Sequence, residues 1–275
     1  MNNRALIIDG NNFYNIAYYS AKKKGNDQYV AIRFFEKIAE AYDVYKNEFK
    51  FLFIVWDSLN NDRKNENKEY KANRKEKPED FYNMMPYIVD TLIMREIQQY
   101  KIDGFEGDDI IYSIVEMCKL KNYSITVASA DHDMYQLIDT YINIYDPYDK
   151  KIVDYKKFIE LYTIKPNQWK YVKALMGDVS DNIKGVKGIG EKNAIKLIYE
   201  YSDLDKFYSS NMDKVSKNVK KLMTIVDGDY NAKESAYNSL NMVNFRKIEL
   251  PYPEFAVINP IKVNKSLYME NYSDE

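Results

Sequence analysis

Three short apolar runs are each followed by an aspartate, and longer stretches with helical spacing separate them. Residues 5–9 (ALIID), 51–57 (FLFIVWD) and 124–129 (SITVAS) are apolar with little alternation. Runs of that length and character predict strands buried on both faces of a parallel sheet. Residues 29–48 carry apolar positions three and four apart, which predicts an amphipathic helix. Helical spacing returns over 79–100, where Pro86 bends or restarts the helix. The EGDD of 106–109 precedes IIYSIV and predicts another helix start. Residues 141–146 and 151–154 read as a strand pair around Pro147, and from Asp154 to about Asn244 the pattern is helical throughout. Residues 58–77 break the pattern: they are polar and rich in Lys and Arg, and on composition alone they read as a solvated or disordered loop. After Arg246 come Pro251, Pro253 and Pro260, which predict an extended or mobile surface tail.

These elements give an α/β protein with a mostly parallel central sheet flanked by helices. The expected divisions are an α/β core over 1–154, a helical part over 155–245 and a tail over 246–275. A length of 275 residues with 45% hydrophobic positions supports a real core. The single cysteine, Cys118, excludes an internal disulfide and a thiolate metal site. The single histidine, His132, excludes a His-rich zinc centre and argues against a Ser-His-Asp triad. No run approaches eighteen apolar residues and the N-terminus has no signal-peptide core, so a cytoplasmic protein is expected.

The acids carry the candidate chemistry. Asp9, Asp57 and Asp131 lie at or just past the ends of the three strand-like runs. In an open parallel sheet that edge is where ligands bind. Glu106, Asp108 and Asp109 start a helix expected at the same edge, although an ordinary helix N-terminus would also use them. Asp133 follows Asp131 by two positions, and Asp178 and Asp181 are spaced i, i+3. A calcium loop of the EF-hand kind fits poorly, because the sixth position from Asp131 is Gln136 and not Gly. Nine carboxylates in one crevice cannot all stay ionised without cations. Oxygen ligands with neither histidine nor thiolate point to Mg²⁺, with Mn²⁺ as a substitute, and two such ions about 3.5–4 Å apart suit phosphodiester hydrolysis.

Directly after Asp181 comes GVKGIGEKNA, a turn with Gly185, Gly188 and Gly190 that opens a helix. Glycines let a backbone approach phosphate, and amides at a helix start point toward it. Lys184, Lys187 and Lys192 interleave with them, which suits a polyanion. The formal net charge of −2 is unusual for a nucleic-acid binder. It turns positive once the nine acids are set aside, so the distribution of charge matters more than its sum.

The sequence resembles the flap endonuclease family of structure-specific 5′-nucleases, and is most similar to the free-standing 5′–3′ exonucleases of bacteriophages. The resemblance rests on LIIDGNN around Asp9, IVWDS around Asp57, EYKANR at 69–74, FEGDDIIYSIV at 105–115, SADHDMYQLI at 129–138 and KALMGDVSDNIKGVKGIGEKNAIKLI at 173–198. These blocks stand in family order over residues 5 to 200. The resemblance implies a PIN-like nuclease core, a helical arch over about 58–100 and a helix–three-turn–helix over about 166–200. It implies cleavage of branched or 5′-flapped DNA in replication or repair, with 5′-phosphate-ended products and RNA–DNA hybrids as a further substrate. It also implies Asp9, Asp57, Glu106 and Asp108 on a first metal with Asp109 beside them, and Asp131, Asp133, Asp178 and Asp181 on a second. Lys71 and Arg74 would contact the scissile phosphate, Tyr70 would stack on a terminal base, and K⁺ would sit on carbonyls of the glycine turn. A monomer is expected.

The sequence departs from the family at Ile16, where a basic residue is common; Lys22, Lys23 or Lys24 would have to replace it. Two other classes compete with the nuclease reading. A catalytically silent DNA-junction binder would have lost carboxylates, and none of the nine is missing. A metal-dependent RNase of a related fold would not need a turn built for duplex phosphates.

Overall fold

Strands β1 (Arg4–Asp9), β2 (Phe51–Val55), β3 (Gln98–Tyr100), β4 (Ser124–Ala128), β5 (Ile142–Asp146) and β6 (Lys151–Val153) form one sheet. In this computed structural model their order is β3-β2-β1-β4-β5-β6, with β6 antiparallel to β5 and the rest parallel. The structure describes residues 3–250 apart from 24, 26–28, 46–47, 59, 211–215 and 228–229. The expectations for Lys24 and for the tail past Leu250 lie outside the described residues.

Period-two geometry sends alternate strand residues to opposite faces. Ala5, Ile7, Phe51, Phe53, Val55, Ile125 and Val127 pack with helix α5 (Gly107–Leu120). Leu6, Ile8, Leu52, Ile54 and Ala128 pack on the other side with α1 (Gly10–Lys22), α2 (Tyr29–Asp43) and α4 (Met85–Met94). Both faces are covered, which is why these strands read as unbroken apolar runs. The strand order reverses at β1 and β4, so the C-terminal ends of these two neighbours flank the crevice that such a sheet offers to ligands.

The helical part shares the α5-side core. Phe158 of α6 (Tyr155–Tyr162) and Trp169, Val172 and Leu175 of α7 (Trp169–Met176) belong to the same buried cluster as the sheet residues. Ring centroids of Tyr162 and Trp169 are 4.5 Å apart, and those of Tyr135 and Phe158 5.8 Å. This packing fixes the C-terminal end of α7, and with it Asp178, against the sheet edge. Beyond lie α8 (Glu191–Tyr201), α9 (Leu204–Ser209), α10 (Lys217–Thr224) and α11 (Ala232–Val243). Two short antiparallel strands, Val226–Asp227 paired with Tyr230–Asn231, interrupt the helices that the sequence pattern predicts there.

The region expected as a helical arch is only partly helical. It contains α3 (Asp62–Glu66), turns through 68–73, an extended stretch, a short 3₁₀ turn (Glu79–Tyr82) and α4. Pro86 stands in the first turn of α4, so it starts that helix and does not bend one. Residues 98–100 are not helix but the edge strand β3, whose short QQY sequence carries no strand signal.

Between α7 and α8 the chain crosses itself. Gly177 and Gly185 have φ of 75° and 60°, and the isolated bridge Asp178–Ile183 closes the turn between them. A Cβ on Gly177 would lie 2.4 Å from the Ile183 carbonyl oxygen, and one on Gly185 would lie 2.4 Å from the Gly177 nitrogen. The demand for glycine at these positions is therefore internal. Gly177→Ala is expected to destabilise the protein by roughly 1–3 kcal/mol or more, from backbone strain plus the clash; urea denaturation midpoints of the two proteins measure it.

Candidate active site

Asp9 ends β1 and caps α1, its Oδ1 accepting from the Asn12 amide at 2.9 Å and its Oδ2 from the Ser129 hydroxyl at 2.8 Å. Asp57 follows β2, accepting from the Gly107 amide at 2.7 Å. Asn11 and Asn12 accept from the amides of Asp57 and Ala130, at 2.9 and 3.1 Å, and so tie the ends of β2 and β4 to the start of α1. Asp131 caps the 3₁₀ turn after β4 through the Asp133 amide at 2.8 Å. Glu106 is the N-cap of α5, with Asp108 in its first turn. The sheet edge thus brings acids from four separate segments together, as the strand-end pattern anticipates.

Their crowding shows in their proton affinities. Burial, with the charge of Asp57 next to it, raises Asp9 to about 7. Burial and the neighbouring Asp131 likewise raise Asp133 to about 7 and push Asp108 well above the carboxylate range. Asp178 goes the other way: burial opposes ionisation, but hydrogen bonds from Lys173 and Ser180 bring it down to about 2.

The chain's own cations stand among these acids. The Lys173 ammonium, buried at 5% exposure, bridges Asp133 at 2.7 Å and Asp178 at 2.6 Å. Lys71 bonds Glu106 and lies 3.7 Å from Asp181, and Arg74 bonds Asp181. Among the described residues no three of these side chains are yet arranged around a single cation site. The donor set nevertheless fits a hard divalent cation: all are oxygens, and several are too crowded to ionise fully at neutral pH without added positive charge.

Three expectations need correction. Asp109 does not face the crevice; one step along the helix from Asp108, it points to Arg63, which binds both its oxygens at 2.7 Å. Tyr70 is buried at 4% exposure and donates to Glu106 at 2.8 Å, so its ring is not offered to a base in this conformation. Gly185 does not present its amide to a phosphate, because that amide donates to Ser239 at 3.1 Å. Gly188 (φ 86°) faces Leu222, whereas Gly190 caps α8 with open space around it. Lys184, Lys187 and Lys192 are exposed, and Lys184 pairs with Glu69 at 2.8 Å. Ile16 is buried, which excludes a surface contact there.

Sequence reasoning missed Lys173, Arg63 and the two asparagines. The Asn-Asn after Asp9 was the one usable signal. Lys173 shows no pattern, because its two partners come from an adjoining turn and a distant strand end.

Residues 4–163 match the family described as 5′-3′ exonuclease, N-terminal resolvase-like domain, and residues 164–246 match 5′-3′ exonuclease, C-terminal SAM fold. A 5′-3′ exonuclease of Mycoplasmopsis pulmonis is 32% identical over 267 residues, covering 94% of this chain and 86% of its own length. The chain belongs to the 5′-3′ exonuclease family. It also aligns with DNA polymerase I of Caldicellulosiruptor bescii at 33% identity over 79% of the chain, but spans only about a quarter (26%) of that relative's length. In fold, a bacteriophage T5 flap endonuclease bound to DNA and metal ions matches with a TM-score of 0.69 at 19% identity, covering 87% of this chain and 88% of that one. The catalytic core of Rad2 with DNA substrate matches at 0.62 and 16% identity, covering 98% and 87%. Among the described residues no helix is long and apolar enough to cross a membrane.

The raised acids of this 5′-3′ exonuclease family member give a signed prediction. Asp9 and Asp133 bind protons more tightly folded than unfolded, so between about pH 4 and 7 the folded state holds the extra protons. Their contribution to stability is therefore lost as pH rises through 7. Without divalent cations the melting temperature should be lower at pH 8 than at pH 5.5 by roughly 5 °C or more. Adding Mg²⁺ should recover most of that loss at pH 8 and little at pH 5.5; calorimetric scans with and without EDTA read both.

Proposed function

We propose that this chain hydrolyses DNA phosphodiesters at junctions of single and double strands, acting from 5′ ends with two divalent cations. The observation that carries the reading is the meeting, at one sheet edge, of the acids at the ends of β1, β2 and β4 with those of the turn after α7. Asp9, Asp57, Glu106 and Asp108 would hold one Mg²⁺ or Mn²⁺; Asp131, Asp133, Asp178 and Asp181 would hold the other. Two cations so held would supply activation of water and stabilisation of the leaving oxygen in an in-line displacement.

The chain's own residues do the rest. Lys71 and Arg74 already lie against Glu106 and Asp181. A phosphate entering the crevice would find two cations within reach to offset its developing charge. Lys173 stays between Asp133 and Asp178, where it limits their repulsion before cations arrive. Lys184, Lys187 and Lys192, all exposed on the turn after α7 and the start of α8, would contact a duplex backbone. Flapped DNA and RNA–DNA hybrids as substrates, action as a monomer, and K⁺ on the turn carbonyls rest on the family resemblance.

The deciding experiment is cleavage of a 5′-labelled flap duplex with Mg²⁺ against the same reaction with EDTA. Cleavage only with Mg²⁺, releasing 5′-phosphate-ended products, is expected; equal product in EDTA would overturn the cation-dependent reading. In the same assay Asp178→Asn should lower turnover by about 100-fold or more, since residues merely behind metal ligands already cost about 10–100-fold. Its binding to the flap duplex in EDTA should be retained.

Replacing Lys184 and Lys187 together by Ala should weaken duplex binding. The salt dependence should flatten by up to about 0.9 in log–log slope for each phosphate no longer neutralised. Fluorescence anisotropy at several salt concentrations measures this, and an unchanged slope would place the duplex elsewhere.

A further inference from the structure

Outside the crevice, the most completely buried basic group near it among the described residues is Arg63 of α3, at 3% exposure. Its guanidinium donates to both oxygens of Asp109 at 2.7 Å, to Glu106 Oε2 at 2.9 Å and to the Asn244 carbonyl at 3.1 Å. The chain after α11 is bound to the same place. The Arg246 amide donates to Asp109 Oδ1 at 2.8 Å, and the Ile248 amide to the Ser113 hydroxyl at 2.9 Å. The Arg246 guanidinium grips Glu66 of α3 at 2.9 and 2.5 Å. Segment 244–248 therefore lies as a strap across α3 and α5, and Arg63 is the pin through all three.

Glu106 stands at the end of this arrangement. Its Oε2 receives Arg63 and the Tyr70 hydroxyl, the latter at 2.8 Å. Its Oε1 receives the Asn61 amide at 2.6 Å and the Lys71 ammonium. The two oxygens differ in how firmly they are held. Arg63 cannot leave Oε2 without abandoning Asp109 in a buried site, whereas Lys71 sits on a turn and is 12% exposed. Oε2 is thus held by a buried cation, whereas Oε1 keeps only the neutral Asn61 amide once Lys71 leaves.

We propose that Arg63, pinned by Asp109 and the 244–248 strap, is a positioning residue for Glu106: it fixes the anchored oxygen so that the other presents to a divalent cation. The inference rests on the proposed cation site, and it makes a segment on the far side of α5 part of what sets cation affinity. A bidentate, planar cation suits the task, since it can hold Asp109 with one edge and reach Glu106 with another.

The test uses the full chain and Mn²⁺ as probe, titrated calorimetrically without DNA. The double variant Arg63→Met, Asp109→Leu removes the buried pair without stranding either charge, a change that folded proteins often tolerate. It should fold, bind flap duplex in EDTA like the parent, and lose Mn²⁺ affinity at the weakened site by about 10–100-fold. A folded double variant with parental Mn²⁺ affinity would overturn the proposal, because a merely structural pin would leave affinity unmoved. If the double variant does not fold, Arg63→Lys keeps a charge for Asp109 but cannot span to Glu106. An affinity loss of about tenfold is then expected, and an unchanged value overturns the proposal. The parent and Glu106→Gln separate the two readings. A parent that binds no Mn²⁺ defeats the cation site itself, while a parent that binds and a Glu106→Gln chain that binds less leave only the role of Arg63 in question.

Discussion

Repulsion among carboxylates that the backbone forces together is the constraint on which the rest of this structure depends. The sheet delivers Asp9, Asp57 and Asp131 to one edge because they lie at or just beyond the C-terminal ends of neighbouring parallel strands. The apolar core then fixes α5 and α7 so that Glu106, Asp108 and Asp178 join them. Two remedies are visible in the chain itself. Some acids hold their protons, as Asp9 and Asp133 do near neutral pH. Others are neutralised by Lys71, Arg74 and Lys173. Neither remedy is complete, which makes the edge receptive to added positive charge.

The basic side chains that neutralise the acids divide by how deeply they are set. Arg63 and Lys173, at 3% and 5% exposure, each bridge two acids and cannot swing away cheaply, since each would leave buried charges uncompensated. Arg74 is half exposed, and Lys71 rides on a turn secured to the loop after α7 by its own amide, which donates to the Asp181 carbonyl at 2.9 Å. The Glu69–Lys184 pair is more exposed still and contributes little to stability. Depth and the number of acids held thus set Arg63 and Lys173 apart from the exposed Arg74, with Lys71 between them.

The sequence made the strand-end acids legible because burial on both faces leaves an unbroken apolar run, and the residue after it is conspicuous. The same logic reached the sheet class, the helical second half and the turn after α7. It failed where one helical step decides the outcome. Asp108 and Asp109 are adjacent in sequence, yet a rotation of about 100° sends one to the crevice and the other to Arg63. It failed also at β3, where QQY joins the sheet by backbone pairing that its composition does not announce. For Gly185, residue type was informative but the reason was misread: its close approach is to the chain's own backbone at Met176 and Gly177, and Gly177, which makes the same contact, was not singled out. Arg63 and Tyr70 lie in a stretch whose polar composition suggested a solvated loop, and no periodicity marks an arginine buried by ion pairing or a lone tyrosine that packs on Ala174, Ile183 and Val243 from distant segments.

That last failure has a structural consequence. A polar segment can be ordered against a protein only if its charges find partners, and here the cations of residues 61–74 that are paired find them in Glu106 and Asp181, two candidate cation ligands, and in Asp109 behind them. The order of this segment and the charge state of the crevice are thus one coupled equilibrium. Under the proposed function, cations added to the acids would withdraw the partners of Lys71 and Arg74. The same step leaves Arg63 with Asp109 and Asn61 with the Arg63 amide, so the base of the segment stays fixed while its exposed part is freed. On that proposal a phosphate would then compete for two basic side chains already tethered beside the crevice. The segment's polar character, which hid its role in the sequence, is what lets it answer to charge.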